Sequence, residues 1–434
     1  VFGNKAIMMV MNFMLMPVIS RIYDQEAFGV FGLLNNMVLV GAAIIGFKLS
    51  DTFILKVPEE EFKRLARVVV SLILLGVFVL FVIAVLFGQA ILGSFGVALP
   101  AGVIVLIPVV MGLFALQEMQ VNHTRRINAF KRSAMISTST DLVGRLSAIA
   151  YGLTVAGNFV GLWGKEILRV VLAYTIRAKS IFGGRILPVP FKVTTFLEIR
   201  QVLKEYYKFP AYQMPSVLAS MFYAGLPLYL IGRYFNIEML GEYTMAMTML
   251  NFPTYILANS IVAVYQRSAA NWIKNEPEKL RTSSLWLFIF MLFIGSVGFG
   301  LVYWNGERLF GLFLGEKWQN AGLLAGIMSP MFFARMVAPP IVSLRIVMNT
   351  QHWNLIMNLL AVIVTAAAFI VGIRNDDTFL SVIGMVTVFN TVLVVISIFM
   401  VFHAIGVKLY KPLLWGIIVL IFGGILSYLP HVFF

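Results

Sequence analysis

Apolar runs of about 20 residues recur along the whole chain, parted by short polar turns. A run of that length, at a rise of ~1.5 Å per residue, crosses ~30 Å of hydrocarbon as a helix. The pattern predicts thirteen such spans, at 1–21, 28–50, 68–95, 98–121, 133–156, 158–177, 209–233, 240–265, 283–304, 321–346, 353–373, 378–403 and 411–432. The longest polar connection has two parts. GGRILPVP (183–190) reads as a linker, and TFLEIRQVLKEYYKF (195–209) follows as an amphipathic helix. In that helix Phe196, Ile199, Leu203 and Tyr206 share one face and Glu198, Arg200, Gln201 and Lys204 the other, the pattern of a helix lying in the membrane interface. The chain is therefore divided into a lobe of six helices at 1–182, a linker at 183–208, a second lobe of six at 209–405 and an additional helix at 406–434.

Composition agrees: 60% of the 434 residues are apolar and only 12% are charged, so the chain is an all-α polytopic membrane protein. The 33 Lys and Arg are distributed by side. Twenty-two fall in one alternating set of loops, at 56–67, 122–132, 177–208, 266–281, 345 and 406–412, and five fall in the other, Arg21, Arg233, Arg308, Lys317 and Arg374. The positive-inside rule makes the first set cytoplasmic. Thirteen spans then leave the C-terminus outside, unless a fourteenth follows. The chain opens on Val1 inside an apolar run, which implies a short N-terminal piece ahead of it. The net charge of +14 thus reports topology, and no nucleic-acid partner is expected.

Several chemistries are excluded. With no cysteine there is no disulfide, thiolate metal site or Cys nucleophile. HExxH, GxSxG, P-loop and Gly-rich nucleotide motifs are missing, so no enzyme, cofactor or metal is expected. The four histidines, His123, His352, His403 and His431, are scattered at span ends.

The chain carries an internal repeat. RIYDQEAFG (21–29) aligns with RYFNIEMLG (233–241), placing Arg21, Tyr23, Glu26 and Gly29 in register with Arg233, Phe235, Glu238 and Gly241. PEEEFKRLAR (58–67) is echoed by PEKLRTS (277–283), and Arg125 by Arg345. Each pair falls on the same side of the membrane. The expectation is two parallel six-helix bundles around a central cavity that opens to alternate sides, a transporter device.

Charges inside the spans narrow the substrate. An ionised group at mid-bilayer costs ~2.5–3.5 kcal/mol on insertion scales, so each needs a partner or water. Arg145, Lys165, Arg169 and Arg335 fall near mid-depth, with Lys5 and Lys48 nearer the cytoplasmic end. Asp141 precedes Arg145 by four residues, Glu166 precedes Arg169 by three and Asp51 follows Lys48 by three, spacings for same-face pairs. Lys48, Arg145 and Arg169 thus read either as internal ion pairs or as ligand contacts, while Lys165 and Arg335 have no uncommitted local acid and are the stronger contacts. Cations outnumber acids, which favours an anionic substrate, and Arg geometry suits a phosphate or diphosphate. Asn358, Asn390 and Thr391 form a candidate sodium site, against packing hydrogen bonds as the plainer reading.

MPVISRIYDQEAFGVFGLL (16–34) resembles the opening signature of the Wzx-type bacterial polysaccharide flippases, within the multidrug/oligosaccharidyl-lipid/polysaccharide exporter superfamily. RRINAFKR (125–132), YKFPAYQMPS (207–216) and LFLGEKWQNAG (312–322) are similar to three further landmarks of that family. The resemblance implies two six-helix lobes, a cationic cavity and, in a bacterial cytoplasmic membrane, transport of an undecaprenyl diphosphate-linked oligosaccharide to the outer leaflet. The repeat unit carried would belong to an O-antigen, capsule or exopolysaccharide. It also implies coupling to a Na+ or H+ gradient and partnership with other polysaccharide-assembly proteins. Arg21 matches the Ser-Arg-x-Tyr element, and Lys48 with Asp51 resembles the basic and acidic pair ending the second helix. Two departures are the Lys at position 48, where the family more often has Arg, and the count of thirteen helices against twelve or fourteen. The alternatives are a multidrug exporter of the same superfamily, which should place acids deep in its cavity, and a polysaccharide polymerase or ligase, which should carry a large outer loop.

Overall fold

The computed structural model describes residues 2–55, 57–184, 194–348, 350 and 352–433. These form helices α1 (Phe2–Ile22), α2 (Gln25–Ile45), α3 (Glu59–Gly93), α4 (Ala101–Arg126), α5 (Phe130–Thr154), α6 (Phe159–Ser180), α7 (Phe196–Glu205), α8 (Met214–Tyr234), α9 (Ile237–Asn275), α10 (Pro277–Leu314), α11 (Gln319–Val342), α12 (Leu344–Val347), α13 (His352–Arg374), α14 (Phe379–Ala404) and α15 (Tyr410–Phe433). No strand occurs among the described residues. Each predicted span lies on one of the long helices, and among the described residues eight are long and apolar enough to cross a membrane by length and composition alone. The chain is a multi-pass membrane protein. Helices α5 and α6 fall outside that set because they carry the charges considered below.

The chain divides into two compact units, residues 1–241 and 242–434. In the first, α2 packs on α4, α6 and α8, while α3 packs on α4, α1 on α5 and α5 on α6. The turn repeated in the sequence explains part of this unit. Asp24 follows α1 and caps α2, its carboxylate accepting from the Ala27 N–H at 2.9 Å. Asn236, at the same position of the second copy, accepts from the Met239 N–H at 2.7 Å. Both satisfy an orphan donor of the following helix. The two copies also touch. A Cβ on Gly29 would lie 2.2 Å from the Ile237 carbonyl oxygen, and one on Gly241 1.8 Å from that of Gln25. Gln25 and Ile237 are themselves equivalent, so the contact is reciprocal and only glycine fits on either side. Tyr23 of the first copy is fully buried, and its hydroxyl donates to the Ala148 carbonyl at 2.7 Å. Gly161 leaves room for that hydroxyl, which would sit 2.0 Å from a Cβ there.

At the basic end of the same unit the helices are tied by side chains. Asp51 accepts from Asn122 of α4 and from Gln213 of the π-helical turn Phe209–Gln213, each at 2.8 Å. Arg126 donates to the Leu55 and Val57 carbonyls, both at 2.7 Å. Here the RRINAFKR and YKFPAYQMPS landmarks meet the end of α2.

Helix α7 forms where the amphipathic pattern predicts it, opened by a capping box between Thr195 and Glu198. Its buried face is rotated from the expected one. Val202 and Tyr206 are buried, whereas Phe196 is 77% exposed with Leu197 beside it. The reason lies in α3, where Glu61 accepts from the Tyr206 hydroxyl and Arg64 pairs with Glu205. Of the linker at 183–208, residues 185–193 lie outside the described residues.

In the second unit α10 packs on α11 and α15, α11 on α14, and α13 on α14. LFLGEKWQNAG is the turn between α10 and α11. Gly315 adopts φ 109°, Trp318 is fully buried, and Gly322 lies against the Gly306 backbone, a Cβ there meeting the Gly306 oxygen at 2.2 Å.

Candidate functional site

The deepest charges of the first unit converge on α4, α5 and α6. Gly144 makes this possible: a Cβ there would lie 2.8 Å from the Lys165 carbonyl oxygen, so α5 and α6 cross at backbone distance. That crossing brings the charged turn of α5 beside the charged turns of α6. On α5, Arg145 donates to Asp141 at 3.0 Å. On α6, Glu166 is shared, its Oε1 accepting from Lys165 and its Oε2 from Arg169, both at 2.7 Å. Lys165 also lies over the Phe31 ring of α2 at 4.7 Å, and Arg169 over Phe114 of α4 at 5.7 Å. The aromatic faces support the cations with their ring quadrupoles.

Two expectations need correction. Lys48 does not pair with Asp51. Helix α2 ends at Ile45, and Phe47 and Lys48 adopt φ of 48° and 54°, so helical spacing no longer applies. The turn aims Lys48 at Glu118 of α4, with which it forms an ion pair, while Asp51 serves the basic-end ties. Lys165 is not without a local acid either, because it divides Glu166 with Arg169. Four cations, Lys48, Arg145, Lys165 and Arg169, thus meet three acids, Glu118, Asp141 and Glu166.

The remaining predicted residues lie elsewhere. Arg21 is exposed at the end of α1, and the side chain of Lys5 lies outside the described residues. In the second unit, Arg335 is half-buried on α11 with its guanidinium 5.4 Å from the Phe332 ring centre. Asn390 donates to Thr365 at 3.0 Å and to the Val386 carbonyl at 2.8 Å, and Thr391 to the Thr387 carbonyl at 2.7 Å. These are packing bonds between and within α13 and α14, and Asn358 stands half-buried on α13. Among the described residues no group of three or more His, Asp or Glu is placed to hold a metal.

One buried cation escaped the sequence reading. Arg177, counted there with the cytoplasmic loop, is fully buried because α6 runs on to Ser180. The signal was present in the spacing: Lys165, Arg169 and Arg177 follow one another at multiples of four along α6.

The arrangement is a set of four cations held by three acids, an excess of positive charge that an anion could meet. Comparison with known proteins agrees on the fold. A lipid II flippase MurJ in an inward closed conformation superposes with a TM-score of 0.70 at 12% identity, covering 99% of each chain. A multidrug resistance MATE family transporter of the MOP superfamily, inward-facing, superposes with a TM-score of 0.68 at 14% identity, over 94% of this chain and 99% of that one. At such identities the likeness is one of fold, that of the MOP superfamily transporters. No curated protein matches the chain. A family model described as polysaccharide biosynthesis protein matches residues 18–322, and the chain therefore belongs to that family.

Proposed function

We propose that this chain is a flippase, and not an enzyme, moving a polyprenyl diphosphate-linked oligosaccharide from the cytoplasmic to the outer leaflet of a bacterial cytoplasmic membrane. The observation that carries the reading is the set of four cations, Lys48, Arg145, Lys165 and Arg169, paired with only three acids on α4, α5 and α6. Membership of a polysaccharide biosynthesis family supports a glycan cargo, and the fold supports a carrier.

The chemistry follows from the pairing. Without cargo, the acids keep the cations from being buried alone, which would cost several kcal/mol each. A diphosphate brings oxygens that replace those carboxylates as acceptors, and charge-assisted bonds to Arg145 and Arg169 hold it with defined geometry. Because the acids stay in place, each cation can return to its partner when the headgroup leaves. Binding is thereby reversible, as a carrier requires. The glycan would be an O-antigen, capsule or exopolysaccharide repeat unit.

The test is flipping in sealed proteoliposomes of a fluorescent polyprenyl diphosphate-oligosaccharide, scored with a membrane-impermeant quencher. Wild type should expose the label, and Lys165→Gln/Arg169→Gln should not, although it inserts normally. Arg335→Ala tests the second unit's cation in the same assay. Efflux of a cationic dye without glycolipid movement would replace this reading with that of a multidrug exporter.

A further inference from the structure

Each of the four cluster cations has a carboxylate within ion-pairing reach. Arg177 does not. It is fully buried, and among the described residues it forms no ion pair. Its Nε donates to Ser133 Oγ at 3.2 Å and its Nη2 to Ser137 Oγ, both hydroxyls on α5, and Nη1 has no partner. A guanidinium keeps its charge under burial, so α6 holds a full positive charge that no acid among the described residues neutralises. Burying an unpaired charge is costly, and a neutral side chain would fill the same space without that cost.

We infer that Arg177 is a further positioning residue for the cargo, whose uncompensated charge draws an anionic headgroup to the α5–α6 cluster. This rests on the reading of that cluster as a diphosphate site. Geometry supports it. Arg177 is eight residues from Arg169, which is ~12 Å along the helix axis. At an effective dielectric of ~20 a unit charge at that distance is worth about a tenfold change in affinity for a singly charged anion, and more for a diphosphate. The two serines hold the guanidinium without cancelling it, since hydroxyls accept its donors and carry no charge of their own. Lys165 and Arg169 thus divide one acid while Arg177, nearer the basic end of α6, has none among the described residues, so an anion arriving from that side meets the uncompensated charge first.

The experiment measures binding of inorganic pyrophosphate by calorimetry to the full chain in phosphatidylcholine nanodiscs. Arg177→Gln should weaken binding about tenfold, and Arg177→Lys should restore it, because the charge and not the fork geometry is what acts at a distance. Ser137→Asp supplies the missing carboxylate while leaving the arginine in place. It should weaken binding as Arg177→Gln does, and it carries the test if Arg177→Gln fails to fold. A merely structural role predicts the reverse for Ser137→Asp, a firmer fold with affinity unchanged. If Lys165→Gln/Arg169→Gln weakens binding while Arg177→Gln and Ser137→Asp leave it at the wild-type value, the inference about Arg177 is wrong and the cluster stands. If wild type binds no pyrophosphate, the diphosphate site itself falls and Arg177 with it.

Discussion

Lys48 shows what a single backbone angle does to a side chain's choice of partner. Three residues separate it from Asp51, a helical spacing, yet its φ of 54° turns it to Glu118. Removing one member of that pair leaves the other without its partner. Glu118→Gln should therefore cost about 1–3 kcal/mol in detergent unfolding, below the range for fully buried pairs because Glu118 is partly exposed. The double variant Lys48→Met/Glu118→Met should recover most of the loss. The Arg145–Asp141 and Arg169–Glu166 pairs, by contrast, were legible in the sequence, because both partners sit on one continuous helix. Sequence spacing reports contacts only where the helix persists. Arg177 was misplaced for a related reason: apolar runs locate a helix better than they locate its last turn.

At the scale of elements, α7 gives the same lesson. Its existence was plain from the pattern, but the face it buries was set by α3, through Glu61 and Arg64. Burial, together with the hydrogen bond to Glu61, raises the Tyr206 hydroxyl well above the ordinary tyrosine value. A folded-state pKa raised above the unfolded one contributes stability that is complete below the unfolded value and is lost as pH rises through the folded one. The cost of Tyr206→Phe, about 0.5–1.5 kcal/mol for the lost bond, should thus be constant from neutral pH to about pH 10. Above that it should fall. Unfolding of wild type and variant across pH 7 to 11, compared pair by pair, checks the sign. A cost that instead grows with pH would remove Tyr206 as the donor.

For the whole molecule, each of the thirteen predicted spans lies on a long helix among the described residues, because long apolar runs are written as composition. The sequence also revealed the repeated turn, though not that the copies meet. The cysteine-free chain makes sidedness directly measurable. Asn128→Cys, in the basic turn after α4, should react with an impermeant maleimide from the cytoplasmic side, and Asn375→Cys, after α13, from the other. The glycine contact has its own test. Gly241→Ala places a methyl group against the Gln25 carbonyl and should destabilise the chain by about 1–3 kcal/mol. Ala at Gly298, where a Cβ meets nothing within 4 Å, should not.

That contact also has a mechanical meaning. Where Gly29 and Gly241 meet, backbone rests on backbone with the Ile237 side chain beside it, so the junction resists compression more than it resists turning. It is a bearing. Helix α2 runs on from Gly29 to Ile45, a lever arm of ~24 Å, so a rotation of about 10° there would sweep the far end by ~4 Å. Near that far end Gln213, just before α8, donates an exposed hydrogen bond to Asp51. The first unit thus pivots at one end on packed backbone and is tied at the basic end by a hydrogen bond that water can reach.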